Sequence, residues 1–83
     1  HKTDFFSMSS KEKKDADKLI SILRDRIQKS DPLVTGFNVG VNCGKSPGQT
    51  IMHAHIHLIP RRIGDTPCPK GGVRGVIPEK MGY

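Results

Sequence analysis

The stretch His53-Ala54-His55-Ile56-His57-Leu58-Ile59 places three histidines at alternate positions of one short run. The residues that alternate with them, Ala54, Ile56 and Leu58, are apolar. Strict alternation of this kind predicts a β-strand with one buried face and one exposed face. In such a strand the three imidazoles share one side, about 6.6 Å apart. We therefore expect the rest of the chain to be organised around this strand.

A second alternating run, residues 35–43, precedes the histidines. One of its faces is apolar and the other is small and polar, which suits a face that receives a ligand. The apolar set is Phe37, Val39, Val41 and Cys43, and the polar set is Asn38, Gly40 and Asn42. The segment Gly44-Lys45-Ser46-Pro47-Gly48 predicts a turn. Strands at about 35–43 and 49–59 should then be antiparallel neighbours, with the polar set and the histidines on one surface.

A helix is predicted from about residue 10 to residue 29. Ser9 and Glu12 have the spacing of a capping box, and Asp31-Pro32 ends the helical pattern. One apolar stripe runs along it, formed by Ala16, Leu19, Ile20, Leu23 and Ile27. The predicted fold class is α+β, with this amphipathic helix packed on one face of an antiparallel sheet.

Residues 63–83 are rich in proline and glycine, which predicts an extended tail with at most a short strand at 73–77. Such a tail wraps the body or reaches a neighbouring subunit.

Composition limits the class of protein. The chain has 83 residues, enough for one small domain, and its Lys+Arg count of 14 exceeds its Asp+Glu count of 8. The excess favours anionic partners such as nucleotides, nucleic acid or acidic membranes, although a solvated surface explains it equally well. The sequence contains no run of about 18 apolar residues that would predict a membrane span, so a cytoplasmic setting is expected. Because the chain opens on His1 without a methionine, we expect an N-terminal portion to precede it.

Three interpretations of the histidine run remain open from the residues alone. Two or three imidazoles could bind a metal, one could be a nucleophile that the others orient, or all could fill a polar sheet face. The nucleophile explains more of the surroundings, because a phosphoryl group under attack needs donors aimed at its oxygens. Asn42, Gln49 and Thr50 supply such donors, Arg61 is near in sequence, and glycines 44 and 48 let backbone N–H groups approach a phosphate.

The run HAHIHLI resembles the alternating signature of the histidine triad (HIT) superfamily of nucleotide hydrolases and transferases. The wider segment GFNVGVNCGKSPGQTIMHAHIHLIPRR and the closing GGVRGVIPEK resemble its prokaryotic, diadenosine tetraphosphate hydrolase-like branch. The resemblance covers essentially the whole chain. It implies a HIT-like antiparallel meander with helices on one face, one HIT-like domain over residues 1–83 that is the C-terminal catalytic portion, and a homodimer.

The resemblance also implies roles for individual residues. His55, the middle histidine, would attack the α-phosphate of a purine nucleotide conjugate and carry a nucleotidyl-histidine intermediate. His53 and His57 would orient it and contact the phosphate or the leaving group. Three further residues match family positions that contact the phosphate and the bridging oxygen, namely Asn42, Gln49 and Thr50. The substrate would be a dinucleoside polyphosphate, a phosphoramidate or an acyl-adenylate, with no membrane or nucleic-acid partner expected.

The chain also departs from the family pattern. Family members have an N-terminal region with the purine pocket, and some carry a Cys-x-x-Cys pair that binds structural zinc. That pair is missing here, and Cys43 and Cys68 are poor substitutes for it. No cofactor is expected to be required, but His1 and His53 are candidate zinc ligands in a full-length protein. A non-catalytic nucleotide- or zinc-binding module that uses the same histidines is the alternative function.

Overall fold

The computed structural model describes residues 2–81; His1, a candidate zinc ligand, lies outside them. Its regular elements include helix α1 (Ser10–Ser30), strand β1 (Val34–Gly40) and strand β2 (His57–Arg62). Short 3-10 helices cover Phe5–Ser7, Gly72–Val76 and Pro78–Lys80. Within residues 2–81, no helix is both long enough and apolar enough to cross a membrane. The predicted α+β class is confirmed.

The capping box predicted at the start of α1 is present. The Ser9 hydroxyl accepts from the Glu12 N–H at 3.1 Å, and the Glu12 carboxylate accepts from the Ser9 N–H at 2.7 Å. These two bonds satisfy donors that a helix start leaves unpaired. The Ser9 backbone N–H, followed by the Ser9 side chain, holds the pKa of the Glu12 carboxyl below its usual value, because a hydrogen bond to the carboxylate favours its charged form. The helix ends at Ser30, one residue beyond the prediction.

The two strands form an antiparallel pair whose register decides which residues share a face. Gly40 lies opposite His57, Asn38 opposite Ile59, and Gly36 opposite Arg61. Directly opposed residues in an antiparallel pair point to the same side. The register therefore confirms that the polar face of β1 and His57 share one surface.

The second strand is shorter at its start than the sequence predicts. The predicted strand 49–59 is observed only from His57 onward, and it continues to Arg62 instead of ending at Ile59. Residues 49–56 leave the ladder because their backbone donors pair elsewhere: the His53 N–H donates to the Ile51 carbonyl and the Ala54 N–H to the Lys2 carbonyl, both at 2.8 Å. His53 and His55 are thus outside β2. The prediction that all three histidines are equally spaced along one strand is wrong. Strand 35–43 likewise ends early, at Gly40.

Helix α1 lies on the opposite face of the hairpin. Its residues Ala16 and Ile20 face Val39, Val41 and Ile56 across an open cavity of about 350 Å³. The core is small: among residues 2–81, Val34 is the only hydrophobic residue that is buried. Leu19 and Leu23 of the predicted stripe are 55% and 38% exposed. The helix packs where predicted, but only part of its apolar stripe is covered.

An ion pair joins the end of α1 to the end of β2. The Arg62 guanidinium donates to the Asp31 carboxylate, including a bond from Nε at 3.2 Å, and the Leu33 N–H donates to the same group at 3.0 Å. The bond from Arg62, followed by the one from the backbone, holds the pKa of Asp31 below its usual value. This cluster fixes where the chain turns from the helix into the sheet.

The tail folds back over the sheet rather than extending away. Where the sequence predicts an extended tail with at most a short strand at 73–77, the chain forms a 3-10 helix at Gly72–Val76. Gly71 has a φ of +97°, and a Cβ there would lie 2.7 Å from the Met81 carbonyl oxygen, so only glycine fits. This turn brings Gly72 beside Asn38 of β1, where a Cβ on Gly72 would lie 3.5 Å from the amide nitrogen. The described residues of the tail lie against the body, and contact with a neighbouring subunit stays a prediction.

We expect Asp31→Asn to lower the free energy of unfolding at neutral pH. A carboxyl whose folded pKa is lowered contributes stability above its ordinary value of 3.8 and loses it as the pH falls through the folded value. The difference between variant and wild type should therefore be largest at pH 7 and shrink towards about pH 2. Urea unfolding at both pH values measures it.

The control is Asp25→Asn, which breaks an exposed pair with the adjacent Arg24. Exposed pairs contribute little, so this change should be nearly neutral. An Asp31→Asn effect of the same size at both pH values would contradict the assignment to the charged pair.

Candidate active site

The polar face of the hairpin is the floor of a cavity of about 820 Å³. The sheet, the loop after β1 and the tail each contribute to its walls. The lining residues include Asn38, Gly40, Asn42, Ser46, His57 and Ile59, together with Val73, Val76 and Ile77 of the tail. No Asp, Glu, Lys or Arg of residues 2–81 is among its lining residues. The volume is within the range of small-molecule sites, and the lining combines apolar walls with a few polar groups.

Two of the three histidines are in ring contact at the start of β2. The His55 and His57 rings lie edge to face, with centroids 5.1 Å apart and planes at 84°. Both side chains are exposed, and His57 lines the cavity whereas His55 is not among its lining residues. The structure therefore brings these two predicted catalytic residues together, although only His57 belongs to the strand.

A backbone carbonyl selects the tautomer of a neutral His55 ring. Its Nδ1 lies 3.0 Å from the carbonyl oxygen of His53. A carbonyl oxygen only accepts hydrogen bonds, so a neutral His55 ring in this contact carries its proton on Nδ1. The lone pair is then on Nε2, the nitrogen on the far side of the ring. This arrangement supplies an imidazole with a fixed tautomer and one unprotonated nitrogen.

His53 contributes to the site through its main chain. It precedes the strand in a bend, is exposed, and is not among the residues that line the cavity. The carbonyl that contacts His55 is its own. The prediction that the His53 side chain contacts phosphate stays a prediction.

The three predicted phosphate-binding residues occupy different positions. Asn42 lines the cavity, and Thr50 is exposed outside it. Gln49 is only 3% exposed, and its amide is engaged by the main chain. Its Oε1 accepts from the Gly44 N–H at 2.7 Å, and its Nε2 donates to the carbonyls of Thr3 at 2.7 Å and Ile51 at 3.1 Å. In this structure Gln49 ties the loop to the N-terminal segment.

Backbone donors in the loop are similarly occupied. Gly44 and Gly48 both have positive φ, as expected for a glycine turn. The Gly44 N–H donates to Gln49, and the Gly48 N–H donates to the Lys45 carbonyl at 3.0 Å. Both N–H groups therefore have acceptors within the chain, and their approach to a phosphate stays a prediction. The Arg61 guanidinium, another expected donor, is also engaged, by Asn38 and Asp65.

Sequence reasoning missed several wall residues. Ser46 lies in the predicted turn, and Val73, Val76 and Ile77 lie in the tail, where composition indicated only an extended segment. The signal that could have found the tail residues is Gly71-Gly72, which precedes an apolar cluster and allows a sharp reversal.

Metal binding finds no support in the described residues. Between residues 2 and 81 no three His, Cys, Asp or Glu side chains are grouped so that they could hold an ion. Cys43 and Cys68 are free thiols. The expected zinc ligand pair includes His1, which lies outside the described range, so zinc binding stays a prediction.

We expect Gln49→Glu to destabilise the fold by about 2 kcal/mol or more, because a buried carboxylate would face the carbonyl oxygens of Thr3 and Ile51 without a proton to donate. Urea unfolding at neutral pH measures this loss. The matched control is Gln28→Glu on the exposed surface of α1, which should be within about 0.5 kcal/mol of wild type. Equal stability of the two variants would show that Gln49 does not anchor the loop.

Comparisons with known proteins show the family of this chain. A family model described as the HIT domain matches residues 2–64, more than half of the chain. The nitrilase and fragile histidine triad fusion protein NitFhit of Caenorhabditis elegans is 53% identical over 32 residues, which are 39% of this chain and 7% of that protein. A comparison with solved structures gave no significant match. From the extent of the family match, the chain belongs to the HIT domain family.

Proposed function

We propose that the protein is a nucleotide hydrolase or nucleotidyl transferase that acts on the α-phosphate of a purine nucleotide conjugate. His55 is the nucleophile, and the reaction passes through a nucleotidyl-histidine intermediate. Membership of the HIT family supports the general class. The NitFhit match supports it only over a short segment, since the chain spans a small part of that protein.

The contact of His55 Nδ1 with the His53 carbonyl is the observation on which the proposal rests. A nucleophilic imidazole needs a lone pair on the attacking nitrogen and a ring that does not rotate. The carbonyl holds the proton on Nδ1 and so leaves the lone pair on Nε2. The edge-to-face contact with His57 restricts rotation of the ring.

The chemical step follows from these positions. Nε2 of His55 forms a bond to the α-phosphorus while the bond from phosphorus to the leaving group breaks. His57, which lines the cavity, donates a proton to the departing group. Water then attacks the phosphorus, His57 takes its proton, and the P–N bond breaks to release the nucleoside monophosphate. In a transferase an acceptor hydroxyl replaces the water.

Neutral donors in the cavity suit a phosphoryl group whose charge grows during attack. Asn42 and Ser46 line the cavity and can donate to phosphoryl oxygens without adding negative charge. The formal net charge of +6 favours the approach of an anionic substrate. Gln49 acts here indirectly, by fixing the loop that carries Ser46.

The finer points of the proposal come from the resemblance alone. They are the prokaryotic diadenosine tetraphosphate hydrolase-like branch, a homodimer, a cytoplasmic setting and a structural zinc in a longer chain. A dinucleoside polyphosphate, a phosphoramidate and an acyl-adenylate all present an α-phosphate with a leaving group. The step at His55 is the same for each.

The central prediction is a covalent adduct on His55. Incubation with a dinucleoside polyphosphate or an adenosine phosphoramidate, followed by rapid acid-free quenching and peptide mass spectrometry, should show an adenylyl group on that residue. His55→Ala should lose the adduct and lower kcat by at least about a thousandfold, because it removes the nucleophile.

Cys68→Ala, at an exposed tail position, is the control and should label like wild type. Unchanged turnover by His55→Ala would refute the mechanism. A chain that binds nucleotide without adduct or turnover would instead be the non-catalytic binding module.

A second prediction tests whether the cavity is the substrate site. Gly40 lies opposite His57 on the cavity floor, and a Cβ there meets nothing within 4 Å. Gly40→Val should therefore fold normally while its side chain fills the space beside His57. We expect KM to rise about tenfold or more.

Gly36→Val is the matched control, because Gly36 shares the strand and the face, has equal open space and is not among the residues lining the cavity. Its KM should match that of wild type in steady-state assays. Equal KM for both variants would place the substrate elsewhere.

A further inference from the structure

Asn38 is a cavity residue that the catalytic mechanism above does not use. It lies opposite Ile59, two positions along β1 from Gly40 and on the side away from Asn42. It lines the cavity where the tail reaches the sheet, beside Gly72. A ligand that extends from His57 towards the tail therefore passes over Asn38.

Arg61 determines which way the Asn38 carboxamide points. Its Nη1 donates to the Asn38 side chain, while Nε and Nη2 donate to Asp65 at 2.7 and 2.8 Å. A guanidinium has donors only, so the atom that faces it must be the amide oxygen. The amide nitrogen is consequently on the other side, towards Gly72.

Asp65 keeps Arg61 in this position. Its carboxylate takes two bonds from the guanidinium and one from the Arg62 N–H at 2.9 Å. These bonds hold the pKa of Asp65 well below its usual value, and the bond to Asp65 raises the pKa of Arg61. Both partners are thus charged across the working pH range, and the bidentate geometry restricts the guanidinium.

The amide nitrogen of Asn38 has a spare donor. Within residues 2–81 it has no hydrogen-bond acceptor, although the amide oxygen is engaged. No charged residue of that range lines the cavity, so an oxygen placed there finds a neutral donor and no repelling carboxylate.

We propose that Asn38 is a substrate-binding residue, oriented by Arg61 and Asp65, that donates a hydrogen bond to a phosphoryl oxygen of the leaving group. The inference rests on the proposed function and narrows it. It favours substrates whose leaving group continues with a further phosphate, such as dinucleoside polyphosphates. A phosphoramidate, whose leaving group is an amine without a phosphoryl oxygen next to the α-phosphate, gains nothing from this donor.

The test compares the affinity of the chain for ADP and for AMP by titration calorimetry. The β-phosphate of ADP stands in for the first phosphate of the leaving group. Wild type should bind ADP about tenfold more tightly than AMP, the effect of one hydrogen bond to a charged acceptor. Asn38→Asp and Asn38→Leu should both lose most of this preference and keep their affinity for AMP.

The two variants separate binding from support. The Asn38 side chain also accepts a hydrogen bond from Arg61. An aspartate at this position can still accept that bond, whereas a leucine cannot. If Asn38→Asp keeps the preference and Asn38→Leu loses it, Asn38 serves only to hold Arg61 and the proposal is wrong. If Asn38→Leu does not fold, Asn38→Asp alone decides, because its pairing with Arg61 preserves the local structure.

Asp65→Asn tests the positioning role. It keeps the shape of the side chain but removes its charge, so the preference for ADP should fall by less than in the Asn38 variants. Asp31→Asn is the control, since it breaks the neighbouring Arg62 pair and should leave the preference unchanged.

The remaining outcomes separate this inference from the proposed function. If both Asn38 variants keep the preference for ADP over AMP, or if wild type lacks it, the proposed role of Asn38 is wrong, even if His55 forms its adduct. Loss of the preference in both variants supports that role even if the adduct is absent, in which case the proposed mechanism fails by itself.

Discussion

The register between β1 and β2 is the constraint on which the rest of the structure depends. Because Gly40 is opposite His57, the histidine, Asn38 and the open space above Gly40 all lie on one face. Side chains alternate along a strand, so a slip of one residue would turn His57 towards α1. The position of His55 follows from the same register, since its ring rests against His57 just before the strand begins. One backbone ladder therefore places the cavity floor and the proposed nucleophile together.

Two adjacent arginines at the end of β2 make contacts on opposite faces of the sheet. Arg62 points to the helix side and pairs with Asp31, while Arg61 points to the cavity side and pairs with Asp65 and Asn38. Alternation along β2 separates them, and the strand opposite has a register shift between Val34 and Gly36 at this point. With so little apolar surface buried, these charged contacts specify how the helix, the sheet and the cavity are joined. Arg62–Asp31 and Arg61–Asn38 join segments 31 and 23 residues apart, whereas Arg61–Asp65 is a local pair that holds the Arg61 guanidinium in place.

Much of this arrangement could be predicted from the sequence, because it follows from local patterns. The Ser9–Glu12 capping box, the face division of β1 and the antiparallel pairing are confirmed. So is the family resemblance carried by the histidine run. The alternation around His53 and His55 was misleading, because it describes side-chain periodicity and cannot show where backbone donors pair. There the backbone bonds to Lys2 and within the bend instead of to β1. The burial of Gln49 and the reversal of the tail depend on contacts between distant segments, which periodicity does not encode.

The tail reversal at Gly71 has a consequence for how members of such a lineage can diverge. The apolar wall of the cavity comes from Val73, Val76 and Ile77, which follow the histidines by more than a dozen residues and make no part of the β1–β2 ladder. Provided that Gly71 and its close approach to Met81 are preserved, substitutions in this wall leave the strand register and the histidines untouched. The shape of the cavity can therefore change by ordinary point mutation while the histidines stay in place. A single glycine thus lets one wall of the cavity vary independently of the residues proposed to react.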